Sequence, residues 1–221
     1  WDTLTPSSTW LARAKCLAFL INDELKTKEA VEKIISENSF KSIFSYINEI
    51  YKDNNFQIDV LKYGLFLLNE KLLKFIDDND DDETKEVDNE QLEINNNKII
   101  KELIDNNIQD ILIKLLTFSQ NEIKNKDNET LILSLAYQIL VNYTYLSNEN
   151  QLNFLIADDI LKIHLFFLRF SSEEHNIINI LRMFYNIFVI YSIPSLDNLL
   201  CFNNYELINI LNEYISSGVT S

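Results

Sequence analysis

Few residues of this 221-residue chain have the type and spacing that catalysis or metal binding requires. The two histidines, His164 and His175, show no metal-ligand spacing, and the chain contains no HExxH motif. Two glycines cannot build a phosphate-binding loop, and Cys16 lies among apolar residues of a helical pattern, where packing is its usual role. The sequence therefore predicts no catalytic residue, no resident metal or cofactor, and a protein that is not an enzyme.

One stretch of the chain is densely acidic. Residues 77–93 contain ten acidic residues and one base, Lys85, so this stretch carries −9 of the formal charge of −15. The alternating acids are similar to a calcium-binding loop, but the Gly at the sixth position and the Glu at the twelfth are missing. We predict instead an acidic, flexible insert at residues 77–97. The negative charge also argues against direct nucleic-acid binding, which needs clustered Lys and Arg.

A second polar feature is an asparagine that recurs in the same apolar context. Four long apolar runs each contain one such residue: Asn22, Asn69, Asn142 and Asn186. The residue directly before the asparagine is Ile21, Leu68, Val141 or Tyr185 in the four runs. The residue three positions after it is Leu25, Leu72, Tyr145 or Val189. The apolar stripe therefore keeps its phase in all four runs, which indicates a repeated structural unit.

The elements that carry these asparagines read as helices. Apolar residues recur three and four positions apart in the long runs and in shorter runs that accompany them. The clearest shorter runs are Phe40/Ile43/Phe44/Ile47, Ile108/Ile111/Leu112/Leu115, Ile160/Ile163/His164/Phe167 and Leu207/Ile210/Leu211/Tyr214. Two glycines and two prolines disfavour a β-sandwich or a nucleotide-binding α/β fold, which need turn glycines. The sequence predicts an all-α fold.

A short, a medium and a long helix at this period resemble the armadillo repeat. The asparagines are 47 (22 to 69), 73 (69 to 142) and 44 (142 to 186) residues apart, and the long interval contains the acidic insert. Asn106-Asn107 or Asp158-Asp159 stands where armadillo repeats have a Gly between their first two helices. The resemblance implies one domain over residues 1–221, a right-handed superhelical α-solenoid of about four repeats.

The resemblance also implies a binding site. Armadillo third helices line a concave groove in which asparagines hydrogen-bond an extended peptide, and an amide suits this because it both donates and accepts. By this likeness Asn22, Asn69, Asn142 and Asn186 would hold a partner. An asparagine at this place can equally connect neighbouring helices. Gln138 and Arg182 stand one turn earlier, where nuclear-import receptors of the family have Trp, so we do not expect a Lys-rich import signal as the ligand.

The expected function is therefore a protein–protein interaction scaffold that binds a partner segment or domain on the concave groove. The negative charge favours a basic or extended peptide. Two alternatives stay open: a regulator of a small GTPase, by stimulating nucleotide exchange or as a formin-type regulatory domain, and a structural subunit of a large assembly. Two distant cysteines, no signal peptide and no apolar run of membrane-spanning length predict an intracellular protein, cytoplasmic or nuclear.

Overall fold

The computed structural model describes residues 40, 43, 44, 47, 58–80, 89–124, 131–190, 206–214 and 216. Its helices are α1 (Ile58–Asp80), α2 (Asn89–Asp105), α3 (Ile108–Lys124), α4 (Leu131–Leu146), α5 (Glu149–Leu152), α6 (Asp158–Phe170) and α7 (Glu174–Ile190). Residues 206–214 are also helical. None of these described residues lies in a β-strand, so the all-α prediction is confirmed.

The long apolar runs of the sequence correspond to the long helices. The run at residues 58–76 lies in α1, the run at 129–147 contains α4, and α7 covers the run at 175–192 as far as Ile190. The first run, at residues 9–26, lies outside the described residues. The agreement is close because apolar spacing of three and four residues is itself a helical signal and needs no distant contact to be read.

The chain divides into two compact units, Trp1–Asn107 and Ile108–Ser221. A stack of repeats in which each repeat contacts only its neighbours divides readily in this way. The single repeat domain predicted for residues 1–221 therefore stays a prediction.

In the first unit, α1 buries one face. Leu61, Leu65, Leu68 and Leu72, spaced four, three and four residues apart, are fully buried. In α2 the residues Ile100 and Leu103 are buried in the same way. Lys71 of α1 and Ile99 of α2 line one common cavity of about 310 Å³, so the two helices flank the same space.

The second unit is organised around α4 and α7, which form its most extensive helix–helix contact. Helix α3 packs against α4 and α6, and α7 also contacts α6 and the short α5. The shorter apolar runs contribute to the core as their spacing predicts. Across both units, only Ile160, Leu211 and Tyr214 of the sixteen residues in those four runs are not buried.

The connections between helices use asparagine where a special conformation is needed. Asn107, between α2 and α3, has φ of 57°, a left-handed conformation that Asn adopts at low cost. Asp158 and Asp159, the other pair that stands in place of the armadillo Gly, do not form a left-handed turn. They form the first turn of α6 after an extended Ala157. Their carboxylates are favourable there, since the helix N-terminus carries partial positive charge. Asn148 caps α5 in a reciprocal capping box with Gln151.

The acidic segment overlaps two helices at its ends. Residues 77–80 belong to the end of α1 and residues 89–97 to the beginning of α2, while residues 81–88 lie outside the described residues. Glu90 and Glu93 lie near the start of α2, where carboxylates interact favourably with the helix dipole. The flexibility predicted for residues 77–97 stays a prediction.

Across the described residues, no helix has both the length and the apolar character that crossing a bilayer requires.

Candidate functional site

A small hydrogen-bond network joins α4 to α7. Asn186 on α7 donates from Nδ2 to the carbonyl oxygen of Val141, at 3.1 Å, and to Oγ1 of Thr144, at 3.0 Å. The Thr144 hydroxyl in turn donates to the Val141 carbonyl, at 2.9 Å. Thr144 is completely buried. One amide therefore connects the backbone and a side chain of the neighbouring helix.

Large side chains on both sides of this network are exposed to solvent. Tyr145 on α4 is 51% exposed, and Tyr185 and Val189 on α7 are 67% and 68% exposed. Arg182 is exposed as well, and Gln138 and Val141 are partly exposed. We call these six residues the α4–α7 surface. Exposed apolar groups that cluster on one face, rather than being scattered singly, are typical of sites that bind another molecule.

The two helices contribute equivalent positions to this surface. Gln138, Val141 and Tyr145 stand four before, one before and three after Asn142. Arg182, Tyr185 and Val189 stand at the same offsets from Asn186. The same places in two long helices that pack against each other therefore supply this surface, and Asn186 connects the two helices beside it.

The structure places the predicted site residues in different environments. Asn142 and Asn69 are buried, in α4 and α1 respectively. Asn186 is half-buried and directs its amide hydrogens into α4, which matches the alternative in which asparagine connects neighbouring helices. Asn22 lies outside the described residues. Binding of a peptide backbone by the four asparagines stays a prediction.

Gln138 and Arg182, the other two predicted residues, both belong to the α4–α7 surface. Gln138 lies at the edge of the exposed face, with Nε2 3.4 Å from the hydroxyl of Ser134. Thus Gln138 and Asn142 lie on α4 and Arg182 and Asn186 on α7, two helices that pack against each other, whereas Asn69 belongs to the first unit.

Sequence reasoning missed three exposed members of the surface. Tyr145, Tyr185 and Val189 occupy the apolar stripe, and in α1 the corresponding Leu68 and Leu72 are fully buried. The available signal was the residue type. Tyrosine has a polar hydroxyl and is common where one side of a residue stays in contact with water.

The charge of this face differs from that of the chain. Helix α4 contains no charged residue, and α7 contains one cation, Arg182, and one acid, Glu174, at its first position. Arg182 makes no ion pair with a described residue. The α4–α7 surface is therefore apolar and aromatic with one positive charge, within a protein of net charge −15.

The buried histidine lies in the core rather than at the surface. His164 on α6 is fully buried, its Nδ1 is 3.1 Å from the hydroxyl of Tyr137, and its ring meets Phe184 edge-on with centroids 6.0 Å apart. Nε2 has no hydrogen-bond partner among the described residues. Burial lowers the pKa of His164 to about 3 and raises the pKa of Tyr137, so both groups are neutral at physiological pH.

The described residues contain no group of three or more His, Cys, Asp or Glu side chains placed to hold a metal ion. Comparison of the chain with protein-family models, with curated proteins and with solved structures gave no match.

Proposed function

We propose that this chain is a protein-interaction scaffold folded as a right-handed α-solenoid of about four armadillo-like repeats. The packing order of the second unit supports the solenoid. In this proposal, α3 and α6 are the second helices of successive repeats, and α4 and α7 are the third helices. Contacts of α3 with α6 and of α4 with α7 are those that stacked repeats make, like helix against like helix.

The proposed function is binding rather than catalysis, at an intracellular location that is cytoplasmic or nuclear. The observation that carries it is the exposure of Tyr145, Tyr185 and Val189 on one face, next to Arg182. Tyrosine and arginine are enriched among the residues that supply most of the binding energy in protein interfaces. The hydrogen bonds of Asn186 hold the two helices in register, so this face is formed before a partner binds.

A capture experiment with matched variants tests the proposal. The full chain, immobilised at moderate salt, is incubated with lysate of the source cells, and bound proteins are quantified by mass spectrometry. The double variant Tyr185→Ala with Val189→Ala should lose the specific partner. The control is Phe170→Ala, because Phe170 is also 60% exposed but lies on α6 outside the α4–α7 surface. A partner retained by the double variant, or lost equally by the control, would contradict the proposal.

The identity of the captured protein separates the two alternatives. A small GTPase lost with the double variant would favour a GTPase regulator, and accelerated nucleotide exchange in its presence would test that function directly. Co-capture of a complete multisubunit assembly would favour a structural subunit. Circular dichroism and melting temperature of each variant establish that the exposed substitutions leave the fold intact, as expected at positions outside the core.

A further inference from the structure

We propose that the partner segment bound by the α4–α7 surface is acidic and amphipathic, with a large apolar side chain next to an Asp or Glu. This inference rests on the proposed function and specifies the chemistry of its ligand. The apolar side chain contacts Tyr145, Tyr185 and Val189, and the carboxylate pairs with Arg182. The proposal reverses the expectation of a basic partner that the net charge of the chain suggests.

Arg182 is the main charge on the helices that form the α4–α7 surface. Between residues 131 and 146 the chain has no charged side chain, and between residues 175 and 190 Arg182 is its one Lys or Arg. The positions one turn away from Arg182 on the same helix are Ile178, Asn179, Tyr185 and Asn186, none of which is acidic. Arg182 is therefore available to a carboxylate from another molecule, with which it can form a bidentate pair.

The acidic residue of α7 is far from Arg182 along the helix. Glu174, the one acidic residue of α7, precedes Arg182 by eight residues, which corresponds to ~12 Å along the helix. At physiological salt, interactions between exposed charges are largely screened beyond about 8 Å. The acidic residue of α7 therefore contributes little at Arg182, and Arg182 is the charge that a ligand on this side of α7 meets. A Lys or Arg brought to this face would meet like charge.

The exposed residues of α7 follow one side of the helix. Arg182, Tyr185 and Val189 lie three and four residues apart on α7, so the cation and the apolar groups form one line along the helix. Tyr145 extends the apolar part across to α4. Ile178, one turn before Arg182, is also 38% exposed, so a ligand that covers this line needs an acidic group with apolar groups beside it.

The test is selection of random peptides displayed on phage against the immobilised full chain. Selected peptides are synthesised, and their Kd values are measured by fluorescence anisotropy. We expect enrichment of Asp or Glu beside Leu, Phe, Tyr or Trp. Arg182→Glu should weaken their binding about fivefold or more, since an exposed pair contributes up to about 1 kcal/mol and reversal adds repulsion. The matched charge reversal Lys162→Glu, at an exposed lysine on α6, should change Kd by less than about twofold.

The outcomes distinguish the two proposals. Some selected peptides can lose affinity for the double variant Tyr185→Ala with Val189→Ala and yet be basic or uncharged, or bind Arg182→Glu as well as the wild type. That result overturns the acidic ligand but supports the binding surface. Peptides that bind the double variant Tyr185→Ala with Val189→Ala as well as the wild-type chain overturn the surface itself. A library that yields no specific peptide counts against both.

Discussion

Acid should destabilise the second unit because His164 must be neutral to stay buried. The ordinary pKa of histidine is 6.5, and burial lowers the pKa of His164 in the folded protein to about 3. Between these values the unfolded chain binds a proton that the folded chain does not, so the free energy of unfolding falls as pH is lowered through this range. The stability that depends on a neutral His164 is present above pH 6.5. It is lost progressively as the pH falls from 6.5 towards about 3.

The size of the effect follows from the two pKa values. At pH 5 the unfolded state gains about 2 kcal/mol from protonating this histidine, while the folded state gains almost nothing. For a chain of this length, 1 kcal/mol corresponds to about 2–4 °C in Tm, so the His164 contribution is about 4–8 °C between pH 7 and pH 5. Carboxylates titrate in the same range, so the histidine must be isolated by a variant.

The variant is His164→Gln, whose amide can still hydrogen-bond the Tyr137 hydroxyl but does not titrate. Unfolding by urea is followed by circular dichroism at pH 8, 7, 6 and 5, staying above the sequence pI of about 4.5. The variant can be less stable at every pH. The measured quantity is therefore the loss of unfolding free energy between pH 7 and pH 5, which should be about 2 kcal/mol smaller in the variant than in the wild type.

The control is His175→Gln, because His175 is more than half exposed and lies outside this core. It should show the wild-type dependence on pH. If His164→Gln keeps the full acid sensitivity of the wild type, then protonation of the buried imidazole does not limit stability, and the reasoning is refuted. A His164 imidazole whose NMR resonances titrate between pH 8 and pH 5 would refute it independently.

Three further predictions concern contacts and a segment away from His164. Asn186→Ala should reduce the free energy of unfolding by about 1–2 kcal/mol, since it removes two hydrogen bonds. A double-mutant cycle with Thr144→Val should show a coupling energy of at least about 0.5 kcal/mol. Additive losses in urea denaturation would show that the contact between the two side chains contributes nothing. Tyr143→Phe should cost about 1–2 kcal/mol, because its hydroxyl accepts from Gln109 at 2.6 Å and donates to a backbone carbonyl at the end of α5; an unchanged denaturation midpoint would contradict this. Replacing residues 81–88 by a neutral Gly-Ser linker of equal length should leave Tm within a few degrees of the wild-type value, because adjacent acids repel one another. A larger fall in Tm, measured by calorimetry, would show that these residues pack.

The sequence alone was sufficient for the helical class and for much of the core. Apolar spacing in the long runs predicted α1, α4 and α7 within a few residues at the ends described. Helix formation depends on neighbours three and four positions away, so this information is local to each run. The left-handed residue Asn107 was also within reach, because Asn tolerates that conformation without help from distant parts of the chain.

Only the tertiary structure decided which side of each helix is covered. The residue three positions after the repeated asparagine is buried in α1, where it is Leu72, but exposed in α4 and α7, where it is Tyr145 and Val189. The periodicity of one helix does not show which neighbouring helix packs on it. The direction of the Asn186 amide likewise depends on Val141, forty-five residues away in the chain. Periodicity specifies a face, whereas burial and hydrogen bonding of that face depend on the helices packed against it.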